Sequence, residues 1–582
     1  MRVLVAKKAG FCMGVRRAVD LTLDLVNRGE ERIATFGPLI HNPQVLGVLR
    51  DKGVGVLKEV PETAAGTVII RAHGVPPVKK KGLKDAGLTV KDATCPRVLK
   101  VQAIIGKHRR LGKTTVIVGD RNHAEVDGLM GYAGPDCQVV SNEAEARELV
   151  LDPTRPYIIV SQTTQDEAVL AAITGIITRR YPQGEVFDTI CDSTHRRQEA
   201  VRTLCGQVEA VVVVGGKNSA NTTRLAEIAS GMGRRVFLVE TEEELDVAAI
   251  KAFDCVGVTA GASTPTWMIN RVARALEAIP GRGDNHLAHG LYRLVRFLMV
   301  SNLYVALGGG LLAVACGSLQ GITPRLAHGF IALCYLFAMH NINRLADRQA
   351  QVFDDPAYQQ FSRKYRKAMM AVSTVALVAG LLVTAGGGWR PLTLLLVMSV
   401  FGVLYRINFI PRFLAERIKV SRLKEIPGSK TFFVALAWAL VVVIIPALYD
   451  GQGLTARSYG VMAYILLMVF VRNALFDVFQ VQSDRILGRE TLPVLLGAKK
   501  TLGVLNAVLI LLLGLLAVYP ALGLIAVPAG YGLAPGLLYL AGVTWLYSRG
   551  YWSPGVRLEF GLETTFVIVA LMVWAAGGMA GA

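Results

Sequence analysis

The chain has 582 residues, 52% hydrophobic and 18% charged, with a formal net charge of +19. With a mean hydropathy of +0.42, it is too long for one ordinary domain and too apolar for a disordered one. Eight scattered cysteines exclude a secreted disulfide scaffold. No zinc-finger spacing and no base-reading basic helix is present, so nucleic acid is not an expected partner.

Up to about residue 280, short apolar runs alternate with polar, helix-like stretches. RVLVA, GTVII, TTVIV, YIIV, AVVVV and CVGVTA read as strands, each followed by a turn and a helical pattern. Strands alternating with helices predict a mostly parallel α/β sheet, with functional groups at the strand ends. Met1 and Arg2 lead straight into the first strand without a signal-peptide pattern. This part is expected to stay in the cytoplasm. Residues 281–294 read as a linker, and 295–582 as a membrane domain of about nine spans near the ~20 residues a bilayer requires.

Three cysteines share one local setting. Cys12 in GFCMGVRRA, Cys95 in DATCPRV and Cys191 in DTICDST each follow a strand and begin a helix. A helix N-terminus favours the metal-binding thiolate. The separations of 83 and 96 residues suggest three similar lobes meeting at one point. Three thiolates suit an iron–sulfur cluster with one iron left open to a substrate oxygen. The bland alternative is three buried free cysteines that never meet.

His41 in PLIHNPQV, His73 in RAHGVPP and His123 in RNHAEVDG stand at Gly or Pro turns, not on apolar helix faces. Taken singly, each reads as a surface or satisfied histidine. Together with Thr163, Ser219, Asn221 and Ser263 at other strand ends, they resemble a cradle for a diphosphate. Glu125, two residues after His123, is the candidate proton donor.

These motifs, with KNSANTTRLAEIA and TAGAST, resemble the 4-hydroxy-3-methylbut-2-enyl diphosphate reductase (IspH/LytB) family over residues 1–280. The resemblance implies an α/β trefoil of three similar lobes around a four-iron–four-sulfur (4Fe–4S) cluster held by Cys12, Cys95 and Cys191. It implies diphosphate binding by His41, His73, His123, Thr163, Ser219, Asn221 and Ser263, with Glu125 as catalytic acid. The implied reaction is reductive loss of an allylic hydroxyl, giving isopentenyl and dimethylallyl diphosphates. The implied electron donor is a ferredoxin or flavodoxin. Ala220 departs from the family pattern, which usually has a polar residue there.

After residue 290 the apolar segments read as spans at 296–317, 323–343, 368–387, 391–409, 430–449, 457–476, 501–521, 523–547 and 559–580. Basic residues gather in alternate loops, such as 344–368 and 410–430, which predicts an integral protein of the cytoplasmic membrane with its N-terminus inside. The excess positive charge is thereby explained by topology. Two polar clusters lie on that side. Asn343 and Asp347 share a helix face by spacing, and so do Asp477, Gln480 and Asp484. Facing carboxylates of this kind can hold Mg²⁺ against a diphosphate. Ordinary polar helix ends are the plainer alternative.

The stretches DVFQVQSDRILGRETLPVLLG and SRLKEIPGSKTFFVALAWALV resemble the UbiA superfamily of intramembrane prenyltransferases. By that likeness Asn343, Asp347, Asp477 and Asp484 bind Mg²⁺–diphosphate, with Lys424 and Lys430 as further diphosphate contacts. The prenyl acceptor would be a membrane lipid or a quinone-type precursor. Gln351 and Gln480 stand where that pattern often has Asp, which lowers the carboxylate count. Three readings follow. The first is a reductase fused to an active prenyltransferase, and the second a reductase on an inactive membrane anchor. The third is a membrane-tethered redox sensor, which the diphosphate cradle argues against.

Overall fold

The computed structural model describes residues 1–283, 286–346, 353, 356–404, 428–451, 453–552 and 554–578. The chain divides into two compact units, Met1–Asp284 and Asn285–Ala582.

The first unit contains twelve strands: β1 (Arg2–Val5), β2 (Ile33–Phe36), β3 (Gly55–Leu57), β4 (Thr67–Ile70), β5 (Thr89–Asp92), β6 (Thr114–Val118), β7 (Gln138–Val140), β8 (Tyr157–Ser161), β9 (Gly184–Val186), β10 (Ala210–Val214), β11 (Arg235–Val239) and β12 (Cys255–Ala260). They form three separate four-stranded sheets, ordered β3-β2-β4-β5, β7-β6-β8-β9 and β11-β10-β12-β1. Every pairing is parallel. The central strands β4, β8 and β10 are buried along their whole length. Such strands read as unbroken apolar runs because helices cover both faces.

The three sheets share one winding order. In each, the chain enters at an inner strand, moves out to one edge, returns to the other inner strand and finishes at the opposite edge. The third sheet takes its finishing strand, β1, from the beginning of the chain. Parallel pairing puts the carboxyl ends of all four strands of a sheet on one side, so the loops that follow open together.

The second unit is helical. Among the described residues six helices are long and apolar enough to cross a membrane: Leu303–Gln320, Tyr358–Ala385, Lys430–Tyr449, Ala456–Phe479, Ala498–Ala521 and Val556–Gly577. Of the other expected spans, the continuous helix Leu326–Ala346 carries the polar residues His328, His340, Asn341, Asn343 and Arg344. Trp389–Leu404 and Leu533–Ser548 are only 16 residues each among the described residues. The first span also starts later than the hydropathy suggests. A break at Asn302, in a left-handed conformation, separates it from the helix His286–Val300, which takes in part of the expected linker. Asn302 Nδ2 donates to Asn341 Oδ1 at 2.9 Å, and Asn341 in turn donates to the Ser301 carbonyl at 3.2 Å.

Small residues set the helix contacts. A Cβ on Gly309 would lie 2.1 Å from Leu336, and one on Gly536 would lie 2.2 Å from Val569. Such close approaches replace the hydrophobic drive that lipid removes. Ahead of Pro446, residues Leu440–Ile444 form a π turn, and Gln320 Nε2 donates to the Val443 carbonyl at 3.1 Å. This restores a partner where the regular ladder is interrupted. Deep in the bundle Arg472 pairs with Glu563, both buried. The Arg472 guanidinium also lies 4.8 Å from the Phe476 ring centroid.

Glu563→Gln leaves a buried guanidinium without its carboxylate. The expected cost is about 3–5 kcal/mol, read as a lower unfolding midpoint in detergent, with the double change Arg472→Met/Glu563→Leu recovering most of it.

Candidate functional site

The strand ends of the first unit deliver one repeating set of groups. His41, His123 and Ser219 with Asn221 follow the first inner strands β2, β6 and β10. His73, Thr163 and Ser263 follow the second inner strands β4, β8 and β12. Cys95, Cys191 and Cys12 follow the finishing edge strands β5, β9 and β1. One backbone bond recurs in all three lobes. The N–H of Cys95 donates to the Ala72 carbonyl (2.9 Å), that of Cys191 to Thr163 (3.0 Å) and that of Cys12 to Ala262 (3.1 Å). Each cysteine is thus tied to the loop that carries His73, Thr163 or Ser263.

All three cysteines are N-caps, of the helices Pro96–Arg110, Asp192–Cys205 and Met13–Asn27. They are partly buried and free. A Cβ on Gly14 would lie 2.4 Å from Cys95 Sγ, so only glycine lets the Cys12 helix start reach the Cys95 thiol. Burial pushes the Cys95 thiol up, and the nearby Cys12 and Cys191 add to this. The Gly14 contact and the influence of Cys12 and Cys191 on Cys95 put the three thiols near one another.

The histidines form a tight triad. Ring centroids are 4.6 Å apart for His41 and His73, 5.6 Å for His41 and His123, and 5.4 Å for His73 and His123. Their ligand-capable nitrogens lie within 4.8 Å of one another. Burial, reinforced by Arg71 and by the neighbouring rings, holds His73 well below the usual imidazole range. Burial with His41 and Arg71 lowers His123 to about 4, and burial with Arg71 lowers His41. The triad is therefore neutral at pH 7, and each ring has one N–H to give. For His123 the tautomer is fixed. Its Nδ1 accepts the Glu125 N–H at 3.1 Å, which leaves Nε2–H as its donor.

Several donors are buried with no protein partner, namely His41 Nε2, His73 Nδ1 and Asn221 Nδ2. Buried polar atoms are nearly always satisfied, so these three stand available to a ligand. Ser219 caps the helix Ala220–Gly231 without using its side chain. Ala220 is the first residue of that helix, so the missing hydroxyl leaves a helix-N-terminal amide at the same place. The Ser263 hydroxyl donates to the His41 carbonyl at 2.9 Å and joins two lobes.

Glu125 is 2% exposed. Its Oε1 accepts the Thr163 N–H at 2.7 Å, and its Oε2 accepts the Thr163 hydroxyl at 2.9 Å. Burial raises its carboxyl to about 7, against the opposing effect of the two Thr163 bonds. Such an acid can hold and release a proton near neutrality.

The structure adds residues that motif reading passed over. Arg71 backs the histidines, its Nε lying 3.4 Å from the Gly74 carbonyl. Thr194 donates to the Thr163 carbonyl at 3.1 Å. Arg197, 6% exposed, donates to the Lys8 carbonyl at 2.6 Å and so ties the Cys191 helix to the loop before Cys12. All three lie inside RAHGVPP and DSTHRRQ, where their fixed distance from His73 and Cys191 was the available signal.

In the second unit Asp477 and Asp484 do not share one regular helix. The helix ends at Phe479, Gln480 has φ −108° and ψ 12°, and a short helix Val481–Ile486 follows. Both carboxylates are buried. Asp477 Oδ1 accepts from Lys430 Nζ (3.0 Å) and Oδ2 from the Thr431 hydroxyl (2.6 Å). Asp484 Oδ1 accepts from Arg489 (3.1 Å). Asn343 is partly buried near the end of Leu326–Ala346 and bonds to neither carboxylate. Asp347, Gln351 and Lys424 lie outside the described residues.

Fold and site together define the class: a three-lobed α/β domain with a buried, neutral imidazole triad and three helix-capping cysteines at its strand ends, followed in sequence by a bundle of membrane-type helices. A family model described as LytB protein matches residues 3–277, and one described as UbiA prenyltransferase family matches 362–555. The 4-hydroxy-3-methylbut-2-enyl diphosphate reductase of Anaeromyxobacter sp. (strain K) is 40% identical over 280 residues, covering 48% of this chain and 100% of that protein. The enzyme of the same name from Nitratidesulfovibrio vulgaris (strain DP4) is 42% identical over 290 residues, with coverages of 48% and 100%. A solved UbiA homolog from Archaeoglobus fulgidus bound to GPP and Mg²⁺ is 17% identical, covering 48% of this chain and 98% of that one, with a TM-score of 0.36. The chain belongs to the 4-hydroxy-3-methylbut-2-enyl diphosphate reductase family, and it carries a UbiA prenyltransferase family domain after the reductase domain.

Glu125 gives a direct pH signature. Its carboxyl is raised from 4.5 to about 7 on folding. Its protonation therefore favours the fold below the unfolded value, and that contribution is lost as pH rises through the folded value. The protonated-carboxyl infrared band is expected to disappear on titration through about pH 7, to titrate higher in Thr163→Val, and to be absent in Glu125→Gln.

Proposed function

We propose that the first unit removes the allylic hydroxyl of 4-hydroxy-3-methylbut-2-enyl diphosphate, giving isopentenyl and dimethylallyl diphosphates. The second unit is a Mg²⁺-dependent prenyltransferase. The observation that carries the reductase reading is the neutral imidazole triad with its unpartnered donors, beside three equivalently tethered cysteines. Relatives about 40% identical along their full length carry the same activity in their names.

Cys12, Cys95 and Cys191 fit a 4Fe–4S cluster as its three thiolate ligands. When bound, the cluster contributes electron transfer and a Lewis-acidic iron. The chain's own groups do the rest. His41, His73, His123, Thr163, Ser219, Asn221 and Ser263 bind the diphosphate with neutral donors, which orient it without a competing ionic partner. The substrate C–O bond breaks, two electrons enter from a ferredoxin- or flavodoxin-like donor, one proton leaves with the hydroxyl as water and one goes to carbon. Glu125, once protonated, reverses its Oε2 bond and donates to the Thr163 hydroxyl oxygen, which frees the Thr163 O–H to pass a proton on. Water exclusion follows from the burial of Glu125, Thr163, Ser219, Asn221 and Ser263.

In the membrane half, Asp477 and Asp484, with Asn343 and Asp347, hold Mg²⁺ against a prenyl diphosphate. The unpartnered, fully buried Asp484 Oδ2 fits a metal-ligand role. The acceptor is a membrane lipid or quinone-type precursor. The excess of basic residues in alternate loops supports a reductase half on the cytoplasmic side of the cytoplasmic membrane.

The test uses the full chain, purified without oxygen, with labelled hydroxylated and prenyl diphosphates and a lipid extract. Glu125→Gln is expected to lower reductive turnover by about 10²–10⁴-fold with little change in KM. Asp477→Asn with Asp484→Asn should abolish label transfer to lipid and leave reduction intact. Unchanged reduction in Glu125→Gln would refute its acid role. Transfer that survives loss of both carboxylates would refute the membrane site.

A further inference from the structure

The histidine triad assigned above to a diphosphate also has the spacing of a metal centre. Three imidazoles on one tetrahedral Zn²⁺ have ring centres about 5 Å apart, as Zn–N bonds of about 2.0–2.1 Å require. The rings of His41, His73 and His123 stand 4.6, 5.6 and 5.4 Å from one another. Their ligand-capable nitrogens lie within 4.8 Å of one another, and a shared ion needs about 3.4 Å. The outer torsion of a histidine is broad, so ring rotation closes that gap. The three side chains come from the loops after β2, β4 and β6 and keep some exposure, which gives an ion a way in.

Two of the three rings are ready ligands. His41 Nε2 and His73 Nδ1 have no protein partner, so no protein group holds a proton on them. A neutral imidazole binds metal through whichever nitrogen lacks the proton. His123 differs, because its Nδ1 accepts the Glu125 N–H at 3.1 Å and so keeps the proton on Nε2. To ligate through Nε2 it must move that proton to Nδ1 and give up the bond. The Arg71 guanidinium also opposes a cation at these rings. Both costs favour a site that fills as free zinc rises over one that holds an ion permanently.

We propose that His41, His73 and His123 form a zinc-responsive site, which takes a borderline divalent cation in place of the diphosphate. Zinc there has three imidazole ligands and keeps its fourth position for water. The two modes exclude each other at the same atoms. An imidazole nitrogen offers a proton to an oxyanion or a lone pair to a metal, never both. Zinc therefore acts as a competitive inhibitor of reduction. The inhibition rests on the reductase reading, whereas the metal site rests on the triad alone.

The experiment uses the full chain in detergent, purified without oxygen and reconstituted with iron and sulfide so that the cysteines are occupied. Zn²⁺ is buffered at set free concentrations. Zinc-edge X-ray absorption is expected to show imidazole nitrogens at about 2.0–2.1 Å and no sulfur near about 2.3 Å. His41→Gln and His73→Asn each keep an amide N–H for the anion but lose the metal-binding lone pair. Each is expected to bind Zn²⁺ at least about tenfold more weakly, since even an outer-shell change costs about 10–100-fold. Affinity for the hydroxylated diphosphate should fall less, which separates a ligand role from a folding defect. In the unaltered chain Zn²⁺ should raise KM for reduction and leave kcat in place. A zinc-edge spectrum unchanged in both variants, or one dominated by sulfur, would overturn the site, as would equal loss of zinc and diphosphate binding. Inhibition that lowers kcat alone would overturn the exclusion of diphosphate by zinc. If the zinc-free unaltered chain performs no reduction, the reductase reading fails, and the zinc-edge spectrum still decides the metal site.

Discussion

Parallel strand pairing is the constraint on which the reductase half depends. In each four-stranded sheet all carboxyl ends face one way, so three loops per lobe open toward the same side. Repeating the winding three times gives nine such loops, and the site takes one class of residue from each position. The first inner strand gives an imidazole or a serine with an asparagine, the second gives His73, Thr163 or Ser263, and the edge strand gives a cysteine. The recurring bond from each cysteine amide to the neighbouring loop fixes the thiols relative to the anion donors. Because β1 completes the sheet built by β10–β12, the start of the chain is locked into the last lobe, and Cys12 depends on residues some 250 positions away.

The electrostatics of the cradle follow from burial more than from charge. A histidine cluster exposed to water would protonate in acid and bind anions as a cation. Here burial keeps all three rings neutral. In the proposed function such neutral groups work by direction, offering N–H donors to a diphosphate. The same burial raises the Glu125 carboxyl and so allows it to hold a proton. One physical cause thus sets the state of the imidazoles and of the carboxyl together, with Thr163 bonded to the latter.

The membrane half solves the opposite problem. In hydrocarbon, polar groups must find partners inside the bundle. The Arg472–Glu563 pair, the Asn302–Asn341 bond and Gln320 on the Val443 carbonyl do so. Asp477 and Asp484 are likewise answered by Lys430, Thr431 and Arg489, which lets two acids persist where charge is costly. The kink at Gln480 turns Asp484 off the face that ideal helical spacing assigns it.

The sequence by itself determined the two-part division, the α/β and helical classes, and the motifs that carry the cysteines and histidines. These depend on local periodicity and on residues a few positions apart. Of its nine expected membrane spans, six are long, apolar helices among the described residues, while the others are shorter there or, like Leu326–Ala346, carry polar residues that hydropathy averages over. Only the tertiary structure decided which groups meet. The His123 tautomer depends on the Glu125 amide, the acidity of Glu125 on Thr163 and burial, and the bracing of the cysteine loops on Arg197 reaching Lys8. The pairing of Lys430 with Asp477 crosses 47 residues and two helices. Such contacts are set by how sheets and helices pack, and no spacing along the chain encodes a distance between elements that fold apart and then close on one another.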